Sequence, residues 1–194
     1  MRYPADHKPL TRHKVLDAAA RGFRRQGIDR LSVAGLMQDA GLTHGGFYAH
    51  FSSKDELVVQ AVAHAFTEAQ SHLWQALDRA PVGQKTRAVV EHYLSRAHLR
   101  TPELGCPMAA LGTELARQPE AVRRATAEGV HGLREVLTQA IAADGLRVPA
   151  ELLVSTLVGG LAVARVATSA AQGERWRTQV LEGLAPWLSP TPTT

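Results

Sequence analysis

The chain has 194 residues, a length typical of one domain or of a small domain joined to a larger one. Its hydrophobic content of 45% supports a packed core and argues against a disordered chain. The single cysteine, Cys106, excludes an intramolecular disulfide and suits a reducing cytoplasm.

The positive charge lies mainly at the start of the chain. Residues 1–56 contain nine Lys and Arg against six Asp and Glu, whereas the other 138 residues contain 13 against 12. Of the net charge of +4, +3 (nine minus six) therefore belongs to the first third. This distribution fits a polyanionic partner for that part of the chain, and ordinary solubility explains it equally well.

No membrane association is expected. Residues 1–10 are polar and contain two prolines, which is unlike a signal peptide. The most apolar stretch, Leu152–Ala167, is short for a membrane span and contains Arg165, so it is predicted to be a buried helix.

Helical periodicity runs along the whole chain, whereas sustained strand alternation and hairpin turns are missing, so an all-α fold is predicted. The first helix is predicted to start near Thr11 and to end at Gly27. Ser32 is predicted to cap a second helix, Val33–Ala40, which Gly41 ends. A third short helix, His44–Phe51, follows with Thr43 as its cap.

Six further helices are predicted in the body of the chain. Their approximate limits are Ser53–Pro81, Thr86–Leu99, Pro107–Arg117, Pro119–Gly145, a helix opened by Pro149, and Glu174–Leu188. Ser53 and Glu56 form a capping box in which each side chain is expected to bond the other residue's free amide. The predicted domains are a helix-turn-helix head, residues 1–53, and a larger body, residues 54–188, followed by a disordered tail, residues 189–194.

The third helix raises a question, because Gly45 and Gly46 each cost it about 1 kcal/mol relative to alanine. At 100° per residue, Phe47 and Phe51 face inward, and the glycines leave the outward face bare. Helix, three-residue turn and helix is the spacing of a helix-turn-helix, whose second helix enters the DNA major groove. A bare face lets the backbone approach base edges closely. A simple corner between two helices gives the same pattern without binding DNA.

Residues from about Leu10 to Leu57 resemble the DNA-binding domain of the TetR family of bacterial transcriptional regulators. The resemblance is carried by "FRRQGIDRLSV" and "GLMQDAGLTHGGFYAHFSSKDEL". It implies a nine-helix homodimer with an N-terminal three-helix helix-turn-helix domain and a larger helical domain for ligand binding and dimerisation. It also implies a double-stranded, palindromic DNA operator and a small-molecule inducer.

The same resemblance implies roles for individual residues of the head. Phosphate contacts fall to Tyr48, His50 and Lys54, and Gly46 stands where family members carry threonine or serine, so base readout is expected to rest on His44 and on groove shape. The complete set of predicted DNA-binding residues is Ser32, Val33, Thr43, His44, Gly45, Gly46, Tyr48, His50 and Lys54. Arg12 and Lys14 are further candidates, and ordinary solvated charge explains them equally well.

The body is expected to hold the ligand among apolar and aromatic side chains. The predicted ligand-binding residues are Phe66, Trp74, Tyr93, Cys106, Met108, Leu111 and Trp176. Simple core packing is the alternative for each of them.

Cys106 is predicted at the N-cap of the helix that Pro107 opens, where a helix terminus lowers a thiol's pKa. The segment "GCPMAAL" also resembles a branch of the family that includes electrophile- and oxidant-responsive repressors. One hypothesis makes Cys106 a sensor. The other makes it an inert small hydrophobic residue, since the sequence identifies no basic partner.

The last two helices are predicted to form a four-helix bundle across a two-fold axis, with burial inside one subunit as the alternative. The nine histidines show no metal-ligand spacing, because His64 and His72 are eight apart and His92 and His98 six apart. No metal or cofactor is therefore predicted.

The function predicted is a cytoplasmic, ligand-responsive DNA-binding repressor that is not an enzyme. A small-molecule inducer or modification of Cys106 would release it from its operator. Two alternatives stay open. One is an all-helical enzyme with Cys106 as nucleophile, although no nucleophile elbow supports it. The other is a ligand-binding module that does not bind DNA.

Overall fold

The computed structural model describes residues 7–188, and every regular element in that range is helical. These residues contain nine α-helices: α1 (His7–Gln26), α2 (Val33–Asp39), α3 (Lys54–Arg79), α4 (Lys85–Tyr93), α5 (Arg96–Arg100), α6 (Pro107–Leu115), α7 (Glu120–Asp144), α8 (Ala150–Arg165) and α9 (Ala170–Leu184). Three short 3-10 helices lie at His44–Ala49, Pro102–Leu104 and Ala185–Leu188. The all-α, nine-helix prediction is confirmed, and the tail at residues 189–194 lies outside the described residues.

The nine α-helices are not the nine that were predicted. The segment His44–Ala49, called the glycine-rich segment below, is a 3-10 helix and not an α-helix. The predicted fifth helix is divided at Leu94–Ser95, because the Ser95 hydroxyl caps a new short helix by accepting a bond from the His98 amide at 3.2 Å. Similarly, Ser169 caps α9, so that this helix begins before the predicted start at Glu174.

The glycine-rich segment is closed by bonds to the third residue back. The Gly46 amide donates to the Thr43 carbonyl at 3.0 Å, and the His50 amide donates to the Phe47 carbonyl at 2.9 Å. Thr43 occupies the N-cap position, but its side chain makes no capping bond, so the predicted side-chain cap is wrong. The tighter 3-10 winding suits a run of six residues with two glycines in its first turn.

The capping box that opens α3 is also only half as predicted. The Glu56 amide donates to the Ser53 hydroxyl at 3.0 Å, as expected. The Glu56 carboxylate, however, accepts from the amide and the hydroxyl of Ser52, at 2.7 and 2.6 Å. The reciprocal bond is therefore shifted by one residue, and these bonds are the main reason that the pKa of Glu56 is lowered.

The core follows the two long helices, α3 and α7, which pack along each other. Phe66 of α3 is buried against Gly129 of α7, where an added Cβ would collide with the aromatic ring. α1 packs against the first half of α3, so that α3 runs from the head into the body. Within residues 7–188, no helix combines the length and the apolar character needed to cross a bilayer.

Candidate nucleic-acid interface and ligand cavity

Two aromatic side chains anchor the glycine-rich segment. Phe47 and Phe51 are almost completely buried, and their stacked ring centroids lie 5.6 Å apart. The guanidinium of Arg12 lies 4.4 Å above the Phe51 ring and also donates to Gln60 at 2.6 Å. Each buried phenylalanine contributes about 1.5–3 kcal/mol, so the two together outweigh the cost of about 1 kcal/mol for each glycine.

The opposite side of the segment faces solvent. Tyr48 is 68% exposed, and its ring packs edge-on against Phe47 at 5.2 Å, which fixes the ring while the hydroxyl stays outside. A Cβ built on Gly45 would meet no heavy atom within 4 Å. Gly46 faces a different direction, because a Cβ there would contact the Met37 side chain at 3.7 Å. Gly45 is therefore the glycine of the open face.

All nine predicted DNA-binding residues reach the surface. Ser32, Thr43, His44, Gly45 and Tyr48 are exposed, and Val33, Gly46, His50 and Lys54 are half-buried. The Ser32 hydroxyl accepts from the Gly35 amide at 3.1 Å, so it caps α2 while it stays accessible. Arg12 contacts Phe51 and donates to Gln60 and Glu56 of α3, and its role as a phosphate contact stays a prediction.

His50 is the most constrained of these residues. Burial, and then the charges of Lys8 and Arg12, lower the pKa of His50, so its imidazole is neutral at neutral pH. Its Nδ1 is buried and has no hydrogen-bond partner among the described residues. A neutral imidazole offers one N–H group, and a phosphate oxygen is a suitable acceptor for it.

A cavity of about 200 Å³ lies in the body between α3, α4 and the segment that leads to α6. Its wall is mostly apolar, with a few polar side chains. The lining residues are Phe66, Ala69, Gln70, His72, Leu73, His92, Tyr93, Ser95, Ala97, His98, Thr101, Leu104, Gly105, Cys106 and Leu133. A mostly apolar wall with a few polar groups is typical of a site for a small organic molecule.

Three of the seven predicted ligand residues, Phe66, Tyr93 and Cys106, line this cavity. The other four lie elsewhere among the described residues. Leu111 is buried in the core, Trp74 and Met108 are half-buried against it, and Trp176 is 45% exposed on α9. Sequence reasoning missed the polar residues of the wall, which are Gln70, His72, His92, Ser95, His98 and Thr101. The sequence signal for the three histidines was their position in the helices of the body, and the other three gave none.

His98 fixes the cavity wall in one tautomer. Its Nδ1 lies 2.6 Å from the Tyr93 carbonyl, and its Nε2 accepts from the Cys106 amide at 2.9 Å. The proton of the neutral ring therefore belongs on Nδ1. Burial, followed by the charge of Arg165, lowers the pKa of His98 to about 4. The buried Tyr93 hydroxyl lies near the Cys106 thiol, but it makes no well-formed hydrogen bond within the described residues.

Cys106 lies at the predicted N-cap of α6, but its chemistry is not the predicted one. Its side chain makes no capping bond and is 3% exposed. Burial raises the pKa of the Cys106 thiol, and this effect exceeds the lowering by Tyr93, by the first amides of α6 and by Arg165. The expected lowering of the thiol pKa is therefore wrong. Arg165 is the basic neighbour that sequence reasoning did not find, because it comes from α8.

Two contacts join the cavity wall and α6 to the head. The side chain of Arg24 in α1 is fully buried, donates to the Gly105 carbonyl at 2.7 Å and pairs with Glu68 at 2.7 Å. On α6, the Glu114 carboxylate accepts from the amides of Ile28 and Asp29, at 2.7 and 3.2 Å. Gly105 and α6 are thus bonded directly to α1 and to the loop before α2.

The last two long helices carry an apolar surface. Leu152 and Val163 of α8 are each 43% exposed, Val166 is 79% exposed, and Trp176 of α9 is 45% exposed. α8 and α9 pack closely, since a Cβ on Gly160 would press on Val180. A Cβ on Gly159, in contrast, would meet nothing within 4 Å. Exposed apolar residues on paired helices are typical of a subunit interface.

Comparison with known proteins identifies both parts of the chain. Residues 15–61 match the family described as "Bacterial regulatory proteins, tetR family". Residues 82–180, about half of the chain, match "Tetracyclin repressor-like, C-terminal domain".

Among curated proteins, the chain is similar to the HTH-type transcriptional regulator TtgR of Pseudomonas putida. The two are 39% identical over 66 residues, which are 34% of this chain and 31% of TtgR. The HTH-type transcriptional repressor Rv1474c of Mycobacterium tuberculosis is 38% identical over 63 residues, 32% of this chain and 33% of that protein. These matches span about a third of the length of the curated relatives.

Solved structures show the same fold over nearly the whole chain. The reduced form of NemR from E. coli has 21% identity and a TM-score of 0.74, covering 88% of this chain and 94% of NemR. A TetR transcriptional regulator from Chloroflexus aurantiacus has 23% identity and a TM-score of 0.74, covering 92% and 96%. The head, the body and both matches lead to one conclusion: the chain belongs to the TetR family of bacterial regulatory proteins.

Proposed function

We propose that this protein is a ligand-responsive, sequence-specific DNA-binding transcriptional repressor. The observation that carries the proposal is the glycine-rich segment. Two buried phenylalanines hold it, its outer face is open at Gly45, and Tyr48 stands exposed beside that face. Such a surface suits close approach to base edges, with phosphate contacts at its margins.

In this proposal the head divides its contacts between phosphates and bases. Tyr48, His50 and Lys54 bind phosphate oxygens and fix the register. Thr43, His44 and Gly45 face the bases, where His44 can donate or accept a hydrogen bond. Ser32 and Val33 at the start of α2 contact the backbone from the other side, and Gly46 supports the segment from within.

The operator is proposed to be palindromic and the protein to be a homodimer. The exposed apolar surface of α8 and α9 supports pairing of two bodies, because it would be costly to leave in water. A two-fold dimer presents two heads to successive major grooves, about 34 Å apart. Since operators lie on the chromosome, the proposal places the protein in the bacterial cytoplasm.

The inducer is proposed to occupy the cavity of the body. The wall is mostly apolar, and its polar groups include the Gln70 amide and His98, whose pKa of about 4 leaves it uncharged at neutral pH. The Tyr93 hydroxyl is available for one hydrogen bond. The cavity therefore suits an uncharged, largely apolar molecule with a polar end. Pressure on Gly105 would move Arg24 and hence the head, since the two are bonded.

Modification of Cys106 is a weaker route to release. A reactive thiol must be both exposed and ionised, and Cys106 is neither, because burial raises its pKa. An enzymatic role for Cys106 meets the same objection. Its neighbour His98 donates its one proton to a backbone carbonyl and accepts from a backbone amide, so it is not free to act as a base.

The proposal is tested by selecting bound fragments from random DNA and then measuring release by small molecules. We expect a palindromic site whose affinity falls steeply with salt concentration. Molecules that fit the cavity should release the protein only to the extent that they bind the free dimer more tightly than the DNA-bound one. Selection that yields no specific, salt-sensitive complex would contradict the proposal.

A further inference from the structure

We propose that His13, Asp17 and His64 form a binding site for a divalent metal ion of the zinc class, at the contact between α1 and α3. One ligand atom from each side chain lies within 4.8 Å of the others. The sequence does not reveal this cluster, because His64 comes from a different helix. The proposal is independent of the DNA-binding function, since it concerns the joint between head and body.

The geometry centres on the Asp17 carboxylate. Its Oδ1 lies 2.6 Å from Nε2 of His64, and its Oδ2 lies 3.6 Å from Nε2 of His13. The two imidazole rings meet edge to face, with centroids 5.1 Å apart. Both imidazoles thus present Nε2 to one carboxylate. A single hydrogen bond between His64 and Asp17 would hold the helices together without requiring His13.

The distances are close to those of a coordination shell. Zinc–nitrogen and zinc–oxygen bonds of about 2.0–2.2 Å place tetrahedral ligand atoms roughly 3.3 Å apart. The pair of His13 and Asp17, at 3.6 Å, is slightly wider than that spacing, and the pair of His64 and Asp17, at 2.6 Å, needs to open by less than about 1 Å. The ligand atoms of His13 and His64 lie within 4.8 Å of each other and need to approach by at most about 1.5 Å. On binding, the ion takes the place of the proton on Nε2 of His64, and the neutral imidazole then carries its one proton on Nδ1.

The donor set determines the class of metal. Two imidazole nitrogens and one carboxylate oxygen suit Zn²⁺, Co²⁺ or Ni²⁺, whereas Mg²⁺ and Ca²⁺ prefer oxygen ligands only. All three donors stand on regular helices, so their backbones are well fixed. The His13 side chain is 63% exposed, which gives the ion access from solvent and leaves a position for water.

The position of the cluster between α1 and α3 determines what a bound ion would do to the structure. Three polar contacts follow one another along α1 and α3, namely Arg12 with Glu56, Asp17 with His64, and Arg24 with Glu68. The proposed site is the middle contact of this series. A bound ion would replace one hydrogen bond by coordination from both helices, and so clamp the head to α3. Metal binding should then stabilise the folded protein.

The test uses the full chain without a histidine tag. Titration with Zn²⁺ should show one ion per protomer, and Co²⁺ should give a visible spectrum without sulfur-to-metal charge transfer. His13→Gln should weaken binding by at least about tenfold. A hundredfold excess of Zn²⁺ over its Kd should raise the Tm of the unmodified protein by roughly 5–10 °C, and that rise should be lost in His13→Gln.

His131→Gln is the matched control, because His131 is on α7 and far along the chain from the cluster. It should leave both the stoichiometry and the rise in Tm unchanged. His13→Gln removes a solvent-exposed side chain, so this variant should fold even if His64→Gln does not. Equal Zn²⁺ affinity in His13→Gln and the unmodified protein, no binding at micromolar Zn²⁺, or a sulfur charge-transfer band would each overturn the proposal.

Discussion

At the residue scale, Gly45 and Gly46 are neighbours with different surroundings. Gly45 has open space where a Cβ would stand, whereas Gly46 lies beside Met37. Neither residue is among the glycines with positive φ, so an alanine fits the backbone at both positions. The absence of a side chain at Gly45 is therefore not required by the fold, and close approach to a partner is a reason for it.

Gly45→Ala should separate folding from DNA binding. We expect the free energy of unfolding to stay the same or to rise by up to about 1 kcal/mol, because alanine restricts the unfolded chain. Operator affinity should fall by about tenfold, since the methyl group keeps the backbone from the bases. Chemical denaturation and fluorescence anisotropy measure the two effects. Gly46→Ala is the control and should change operator affinity less. If Gly45→Ala bound the operator as tightly as the unmodified protein, this face would lie away from the groove.

Lys54 and Tyr48 are proposed to bind phosphates by different means, and salt distinguishes them. Lys54→Ala removes a positive charge, so affinity should fall for all sequences and the slope of log K against log salt should decrease by about 1. Tyr48→Phe removes only a hydrogen bond and should weaken binding with the slope unchanged. Affinity is measured at several salt concentrations. Unchanged affinity in both variants would mean that the head meets DNA in another orientation.

At the element scale, the connection between α5 and α6 depends on neutral His98. Its pKa of about 4 is below the ordinary value of 6.5, so the unfolded chain takes up the proton first as the pH falls. His98 therefore stabilises the fold fully above about pH 6.5, and this contribution is lost progressively between about pH 6.5 and 4. The loss is on the order of 3 kcal/mol.

This contribution is measured as the free energy of unfolding between pH 7 and 4. His98→Gln should lower stability at pH 7 and should flatten the decrease toward pH 4. The control variant His131→Gln should retain the steep decrease. If His98→Gln and the unmodified protein lost stability in parallel, the proton would be taken up elsewhere, for example at His50 or His92, whose pKa values are also lowered by burial.

Glu114 joins α6 to the head, and its substitution tests whether this contact couples inducer binding to DNA binding. Glu114→Ala removes the acceptor of two amides, those of Ile28 and Asp29, at a cost of about 1–3 kcal/mol in stability. Inducer binding should be unchanged, since Glu114 does not line the cavity, but the inducer should lower operator affinity by a smaller factor. Calorimetry with the inducer, and anisotropy with and without it, give the two values. Glu120→Ala, at the exposed start of α7, should retain the full effect.

The sequence predicted helices well where hydrogen bonds between residues close in the chain determine their ends. Serine caps, proline starts and apolar periodicity located most helices of the head and body. The winding of His44–Ala49 was missed, because 3-10 and α-helices share the same residues and differ only in the partner of each amide. The contacts of Arg24, Glu114 and the cluster around Asp17 were also missed, since each joins residues far apart in sequence.

At the scale of the whole molecule, the body must form a dimer if two heads are to reach one palindromic operator. In that arrangement each protomer supplies one head, so loss of the dimer should reduce operator affinity steeply even when each head stays folded. Val163 lies 43% exposed on the apolar surface of α8. Val82 is 89% exposed between α3 and α4, away from that surface along the chain, and it is the matched control.

Val163→Glu should place a charge in the proposed interface, where it has no partner and would lose its water. Sedimentation should show monomers at concentrations at which the unmodified protein is a dimer, and operator affinity should fall by at least about a hundredfold. Circular dichroism should show that the helices remain. Val82→Glu should stay dimeric and bind normally. A Val163→Glu protein that still sedimented as a dimer would show that the subunits meet through a different face, and the spacing of the heads would then have to be derived from that face.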